Sequence, residues 1–152
     1  MATREADPGA GVGQRDRDRA AALSVYFDSS AFVKLLLDEP GATEARRTWR
    51  EASSRAASVA LIAEGRSALA AARRSGRIDD AGQSEALTTL ERLWREVEGI
   101  VLTEALARRA GELAELCALR GYDAIHLASA EAILDPGSVM IVSDLRLAEV
   151  AG

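Results

Sequence analysis

The sequence predicts one α/β domain with a parallel sheet covered by helices on both faces. Short apolar runs alternate with longer segments in which apolar residues recur at helical spacing. The chain has 152 residues, of which 48% are hydrophobic, so it can bury one substantial core. Because strands separated by helices pair in parallel, their carboxyl ends meet at one edge, where such sheets bind ligands.

Four short runs predict the strands of this sheet. The first reads Ser-Val-Tyr-Phe and the last reads Val-Met-Ile-Val, and both are typical of strands buried on two faces. The predicted strands are 24–27, 56–58, 100–102 and 139–142.

Seven further segments are predicted to be helical from their apolar spacing and their capping residues. Ser29 and Ser30 are predicted to cap the first helix, Asp79 and Asp80 to open the fourth, and Thr103 to cap the fifth. Gly99 is predicted to end the fourth helix. The predicted helices are 31–37, 42–52, 59–75, 79–98, 104–119, 122–134 and 145–150.

The ordered domain is expected to span residues 23–152, preceded by a disordered leader over residues 1–22. That first segment mixes Gly, Pro and both charge signs without periodicity. No stretch of about 18 apolar residues predicts a membrane span, and no export signal is recognisable. The single cysteine, Cys117, excludes an internal disulfide framework and is expected to be a small buried helix residue. A cytoplasmic protein is therefore expected.

The net charge of −5 argues against a protein that coats nucleic acid with a broad basic surface. The sequence contains no GxxxxGK[ST], GxGxxG or HExxH motif and no Cys pair for zinc. ATP hydrolysis, dinucleotide redox chemistry and zinc proteolysis therefore lack support.

Four acidic residues are the candidate site: Asp28, Glu64, Asp123 and Asp144. Asp28 and Asp144 follow predicted strands, so a parallel sheet places both at one edge. Glu64 is predicted to lie two turns into a helix, and Asp123 begins another. Together they would form an oxygen-rich nest for hard divalent cations, as metal-assisted phosphodiester cleavage requires.

Each position also has a simpler interpretation. Asp123 and Asp144 are placed to cap the helices that follow them, whereas Ser29 and Ser30 make such a role less needed for Asp28. Glu64 resembles an exposed helix residue unless its face is the buried one. The weight of the hypothesis comes from all four positions occurring at compatible places in the topology.

The segments that carry these acids resemble successive motifs of the PIN-domain family, especially the VapC-type toxins of bacterial toxin-antitoxin pairs. The resemblance covers roughly residues 25–152, and its most specific part is Tyr-Asp-Ala-Ile-His-Leu-Ala at 122–128. The four segments are 25–31, 64–69, 122–130 and 143–148.

This resemblance implies an α/β/α sandwich with about four strands and an RNA endonuclease that depends on Mg²⁺ or Mn²⁺. It also implies a homodimer and a VapB-like antitoxin encoded beside the toxin. Asp28, Glu64, Asp123 and Asp144 become the metal-binding and catalytic set. The sequence departs from the family in having Val142 where a hydroxyl residue is common, and the last edge strand is expected to be missing or supplied by a partner.

Two other functions remain open. One is a PIN-like binding module that does not cut; the other is a phosphohydrolase with Asp28 as nucleophile, which is disfavoured because position 30 is Ser rather than a second Asp. His126, the only histidine, lies three residues after Asp123 and is expected to be a packed residue rather than a general acid. Lys34 is a weaker candidate for the site.

Overall fold

The computed structural model describes residues 23–134 and 138–141. Over these residues, four strands form one parallel sheet in the order β3-β2-β1-β4, as the alternation of strands and helices predicts. The leader predicted at 1–22 and the last predicted helix at 145–150 lie outside the described residues. The strands are β1 (Ser24–Phe27), β2 (Ser54–Ser58), β3 (Glu98–Ile100) and β4 (Val139–Ile141).

Six helices connect these strands in the part of the chain that the structure describes. Capping residues set several of their ends: the Asp79 side chain accepts from the Gly82 amide, and Thr103 accepts from Leu106. These two caps confirm the sequence prediction. The helices are α1 (Ser29–Leu36), α2 (Ala42–Glu51), α3 (Ala60–Arg74), α4 (Asp80–Trp94), α5 (Glu104–Cys117) and α6 (Gly121–Glu131).

The two faces of the sheet bury different side chains of β1 because successive residues of a strand point to opposite sides. Val25 and Phe27 pack into a core formed with α1 to α4. Tyr26 points to the other face, where it packs with Ala56 and with Ala130 of α6. Helices on both faces confirm the predicted three-layer α/β/α sandwich.

The central position of β1 brings its carboxyl end between those of its two neighbours. Tyr26 is paired in register with Ala56 of β2 and with Met140 of β4. The Asp28 amide then donates to the carbonyl of Ile141 at 3.2 Å. The last edge strand of the family is expected to be missing here or supplied by a partner. Such a strand would follow Ile141, beyond the described residues, so this expectation remains a prediction.

The third strand and the end of the fourth helix were predicted wrongly. The strand is Glu98–Ile100 rather than 100–102, and α4 ends at Trp94, before Gly99. A tight turn follows α4, in which the Val97 amide donates to the Trp94 carbonyl. A Cβ atom at Gly99 would lie 3.0 Å from Trp94 Cζ2, so the glycine allows the strand to pass the indole closely. Val101, in the apolar run predicted as strand, is 64% exposed.

None of the helices in residues 23–134 combines the length and the apolar character needed to cross a membrane. Cys117 is half-buried at the last position of α5 rather than buried inside the helix.

Replacing Leu90 tests the larger core. Leu90 is fully buried on α4, and its Cδ1 atom lies 2.9 Å from where a Cβ atom of Gly65 on α3 would be. Leu90→Ala should lower the free energy of unfolding by about 2–5 kcal/mol, because it leaves a cavity between closely packed helices. Leu116→Ala is the matched control, since Leu116 is 77% exposed on α5, and it should change that free energy by less than about 0.5 kcal/mol. Equal effects in urea titrations would contradict this assignment of the core.

Candidate active site

Asp28 lies directly after β1, at the carboxyl end of the central strand, and it is only 3% exposed. Its Oδ1 atom accepts from the Ala31 amide at 2.7 Å, so Asp28 is the N-cap of α1. The prediction that Ser29 and Ser30 would cap this helix was wrong. The Ser30 hydroxyl instead donates toward the carboxylate, 2.9 Å from Oδ1 and 2.8 Å from Oδ2. These contacts fix the orientation of a buried negative charge.

Glu64 lies one turn into α3, closer to the start of the helix than the predicted two turns. Its side chain is 21% exposed, and its Oε2 atom is 2.7 Å from Nε2 of His126 on α6. The contact joins a helix on one side of the sheet to a helix on the other. The Glu64 side chain therefore lies on a partly buried face of α3, which points toward α6, the helix that carries Asp123.

His126 is 1% exposed, which confirms that it is a packed residue. Both ring nitrogens of His126 are hydrogen-bonded. Nδ1 lies 2.9 Å from the Tyr26 hydroxyl, and the two rings meet edge to face with centroids 6.0 Å apart. Glu64, His126 and Tyr26 thus form a continuous set of contacts, named here the Glu64–His126–Tyr26 chain.

The Tyr26 hydroxyl anchors the inner end of this chain. It accepts from the Ser58 amide at 3.0 Å, and the Ser129 hydroxyl, which donates to the Ile125 carbonyl at 2.7 Å, lies beside it. Burial raises the pKa of the Tyr26 phenol well above its ordinary value, and the charges of Asp28 and Glu64 raise it further, although the contacts with Ser58 and Ser129 oppose this. The phenol is therefore neutral near pH 7, and both carboxylates lie close enough to act on it.

Asp123 lies in the first turn of α6 and is half-buried. It precedes His126 by three residues, so the two side chains share one face of the helix. The structure thus brings Asp28 and Glu64 to the surroundings of Tyr26, with Asp123 on the α6 face that carries His126. Asp144 lies outside the described residues, so its part in the candidate site remains a prediction.

The carboxylate oxygens of these residues are the ligand type that hard divalent cations prefer. Within residues 23–134 and 138–141, however, no group of three or more His, Cys, Asp or Glu side chains is arranged to hold a metal ion. The donor chemistry fits a divalent cation, but Asp28, Glu64 and Asp123, which are all described, do not by themselves form such a group, so the four-residue ligand set stays a prediction.

A shallow hollow opens beside Glu64, with a volume of about 410 Å³. Tyr122 borders it and is 58% exposed. The sequence interpretation assigned no role to Tyr122 or Tyr26, although an exposed aromatic directly before Asp123 is a recognisable signal for contact with bases. The other lining residues come from α3: Ala63, Ser67, Ala68 and Ala71.

Lys34 does not turn toward the candidate site. Its Nζ atom donates to the Pro40 carbonyl at 2.7 Å, in the turn between α1 and α2. Trp49 packs in the larger core, and Trp94 packs against it.

The comparisons with known proteins agree with this fold. Residues 25–152 match the PIN domain. Ribonuclease VapC45 and ribonuclease VapC49, from two strains of Mycobacterium tuberculosis, are each 43% identical over 123 residues, which covers 81% of this chain and 85% of each relative.

A solved structure is also similar. The crystal structure of Mycobacterium tuberculosis VapC20, described as a sarcin-ricin loop cleaving toxin, superposes with a TM-score of 0.60 and 17% identity. The superposition covers 83% of this chain and 94% of the VapC20 chain. At 17% identity, the similarity supports the fold alone.

An α/β/α sandwich with a parallel sheet and a buried aspartate at the end of its central strand is the architecture of a PIN-type nuclease domain. The chain belongs to the PIN-domain family, and within that family to the VapC-type ribonucleases.

The buried phenol predicts a specific response to alkaline pH in metal-free buffer. A group whose pKa is raised by folding stabilises the protein fully below its unfolded pKa, about 10 for Tyr, and this stabilisation is lost as pH rises above that value. Between pH 10 and pH 12 the wild-type free energy of unfolding should fall more steeply than that of Tyr26→Phe, by up to about 1.4 kcal/mol per pH unit. Urea titrations at several pH values measure the slopes, and identical slopes would contradict the buried neutral phenol.

Proposed function

We propose that this protein is a divalent-metal-dependent RNA endonuclease that acts as the toxin of a toxin-antitoxin pair. The observation that carries the proposal is the buried Asp28 carboxylate at the end of the central strand. Glu64 lies near the same strand, because its contact with His126 connects it to the Tyr26 phenol. Membership of the VapC-type ribonucleases supports RNA as the substrate.

Asp28, Glu64, Asp123 and Asp144 are the proposed ligands, and Mg²⁺ or Mn²⁺ the proposed ion. The cation would neutralise charge that develops on the scissile phosphate and lower the pKa of the attacking water. The Ala31 amide and the Ser30 hydroxyl hold Asp28 in place, and His126 holds Glu64. Attack by water in line with the leaving oxygen would yield a 3′-hydroxyl and a 5′-phosphate.

The runner-up functions are weaker. A covalent phosphohydrolase needs a second Asp and a lysine near its nucleophile, but position 30 is Ser and Lys34 bonds to the Pro40 carbonyl. A binding module that does not cut is favoured by one observation, the lack of a group of three ligand side chains within residues 23–134 and 138–141. Cleavage assays separate the binding module from the nuclease.

A VapB-like antitoxin, a homodimer and a cytoplasmic location complete the proposal. The antitoxin is proposed to dock against the helices that carry Trp49, Leu87, Leu90 and Trp94, although the Leu90 and Trp49 side chains are themselves buried. A hollow of about 290 Å³ beside them is better placed to receive an antitoxin segment, since it has an apolar floor and a rim of arginines. The floor and rim include Leu35, Trp49, Leu93, Arg46, Arg50 and Arg92.

Amide variants of the proposed ligands test the nuclease. Asp28→Asn, Glu64→Gln, Asp123→Asn and Asp144→Asn should each reduce cleavage of labelled RNA by at least about 100-fold, because each removes a charged oxygen ligand. Chelator should abolish wild-type cleavage, and added Mg²⁺ or Mn²⁺ should restore it. The products should carry 5′-phosphate ends.

Matched controls use exposed carboxylates. Asp38→Asn and Glu115→Gln make the same chemical changes on the surface, where the Asp38 side chain is 97% exposed, and both should retain wild-type cleavage. Cleavage that persists in all four ligand variants would point to a contaminating nuclease. RNA binding without cleavage by the wild-type protein would favour the binding module.

We further propose that Tyr122 stacks on a base beside the scissile phosphate, because its exposed ring borders the hollow that Glu64 lines. Tyr122→Ala should raise KM for a short RNA by about 5–150-fold, the equivalent of losing one stacking contact of about 1–3 kcal/mol, with a smaller effect on kcat. Tyr122→Phe keeps the ring and should behave like the wild type. A kcat loss in both variants would instead implicate the hydroxyl in the chemistry.

A further inference from the structure

We propose that His126 and Tyr26 are positioning residues that hold the Glu64 carboxylate in the orientation required to bind the cation. The inference rests on the proposed metal-dependent nuclease and assigns it two residues beyond the acidic set. The observation behind it is the Glu64–His126–Tyr26 chain, in which contacts of 2.7 and 2.9 Å connect a half-buried acid to a phenol in the core.

Neither residue is placed to touch the substrate. His126 is 1% exposed and Tyr26 is fully buried. Both ring nitrogens of His126 are occupied, one by Glu64 and the other by Tyr26. A proton donor for the leaving group would need access to the phosphate, so the geometry favours a role through Glu64.

One arrangement of protons fits the contacts of the Glu64–His126–Tyr26 chain. The Ser58 amide donates to the Tyr26 oxygen, and the neutral phenol can donate its own proton to Nδ1 of His126. Nε2 then carries the hydrogen and donates to the Glu64 carboxylate. This is the tautomer that we assign, and it requires Glu64 to be ionised, the form that binds a cation.

The buried Glu64–His126–Tyr26 chain matters because it limits the orientations that the Glu64 carboxylate can adopt. A glutamate that lies one turn into a helix and remains partly exposed has several rotamers, and confining it when a cation binds costs side-chain conformational entropy. The His126 contact confines it during folding instead. Hydrogen-bond partners that orient a metal ligand typically change metal affinity by about 10–100-fold when they are removed.

No buried side-chain nitrogen or oxygen in the described residues lacks a hydrogen-bond partner. Removing one member of the chain therefore leaves others unsatisfied, which costs stability as well as orientation. A test must separate these two effects, so it needs a measurement of metal binding in addition to activity and folding.

The test compares His126→Gln, His126→Leu and Tyr26→Phe in the full-length protein. Electron paramagnetic resonance of Mn²⁺ measures the dissociation constant without RNA, and cleavage at increasing Mn²⁺ measures the concentration for half-maximal rate. His126→Leu and Tyr26→Phe should raise both values by about 10–100-fold, while the rate at saturating Mn²⁺ falls much less. In His126→Gln, the side-chain oxygen can accept from Tyr26 and the amide can donate to Glu64, so it should stay close to the wild type.

Leu37→Ala is the control for a loss of stability alone. Leu37 is 7% exposed directly after α1 and belongs to the core on the other face of the sheet. All variants are measured well below their unfolding temperatures, where Leu37→Ala should bind Mn²⁺ like the wild type.

Three results overturn the inference. Wild-type Mn²⁺ affinity in His126→Leu and Tyr26→Phe would mean that the chain is only a packing feature, while the nuclease itself stands. A loss in His126→Gln equal to that in His126→Leu would mean that ring shape, rather than the hydrogen bonds, is required. A wild-type protein that neither binds Mn²⁺ nor cleaves RNA in its presence would remove the proposed function and this inference together.

Discussion

A carboxylate buried at the end of the central strand constrains the rest of the site. An ionised group that is 3% exposed is costly to bury unless hydrogen bonds or cations compensate its charge. The backbone of α1 supplies one such bond and Ser30 supplies the other contacts. The turn from β1 into α1 thereby fixes Asp28, and the pairing of β1 with β2 and β4 places it where other strand ends converge.

The two faces of the sheet have different roles, one in the hydrophobic core and the other in the candidate site. On one face, Phe27 and Phe32 pack against Trp49, with ring centroids 5.2 and 5.7 Å from the indole. On the other face, the Tyr26 phenol interrupts the apolar surface and collects polar contacts from β2 and α6. Strand β1 thus contributes Val25 and Phe27 to the hydrophobic core and Tyr26 to the candidate site, and Asp28 follows directly after the strand.

The sequence predicted the layers and three of the four strands, because these follow from apolar periodicity and parallel topology. It missed the cap formed by Asp28, since Ser and Asp are equally good N-caps and the choice depends on side-chain orientation. It also placed β3 too late, because Val101 and Leu102 are apolar but exposed. The Glu64–His126–Tyr26 chain could not be predicted, since it joins residues 62 and 100 positions apart on three different elements.

The central claim is that Asp28, Glu64, Asp123 and Asp144 hold one divalent-cation site, and a crystal structure of the full chain grown with Mn²⁺ tests it most directly. Anomalous scattering locates manganese independently of the surrounding atoms. The account predicts a peak coordinated by carboxylate oxygens of Asp28 and at least one other member of the set, with Glu64 still bonded to His126. Manganese bound only at other surface carboxylates, with the four acids apart, would contradict it.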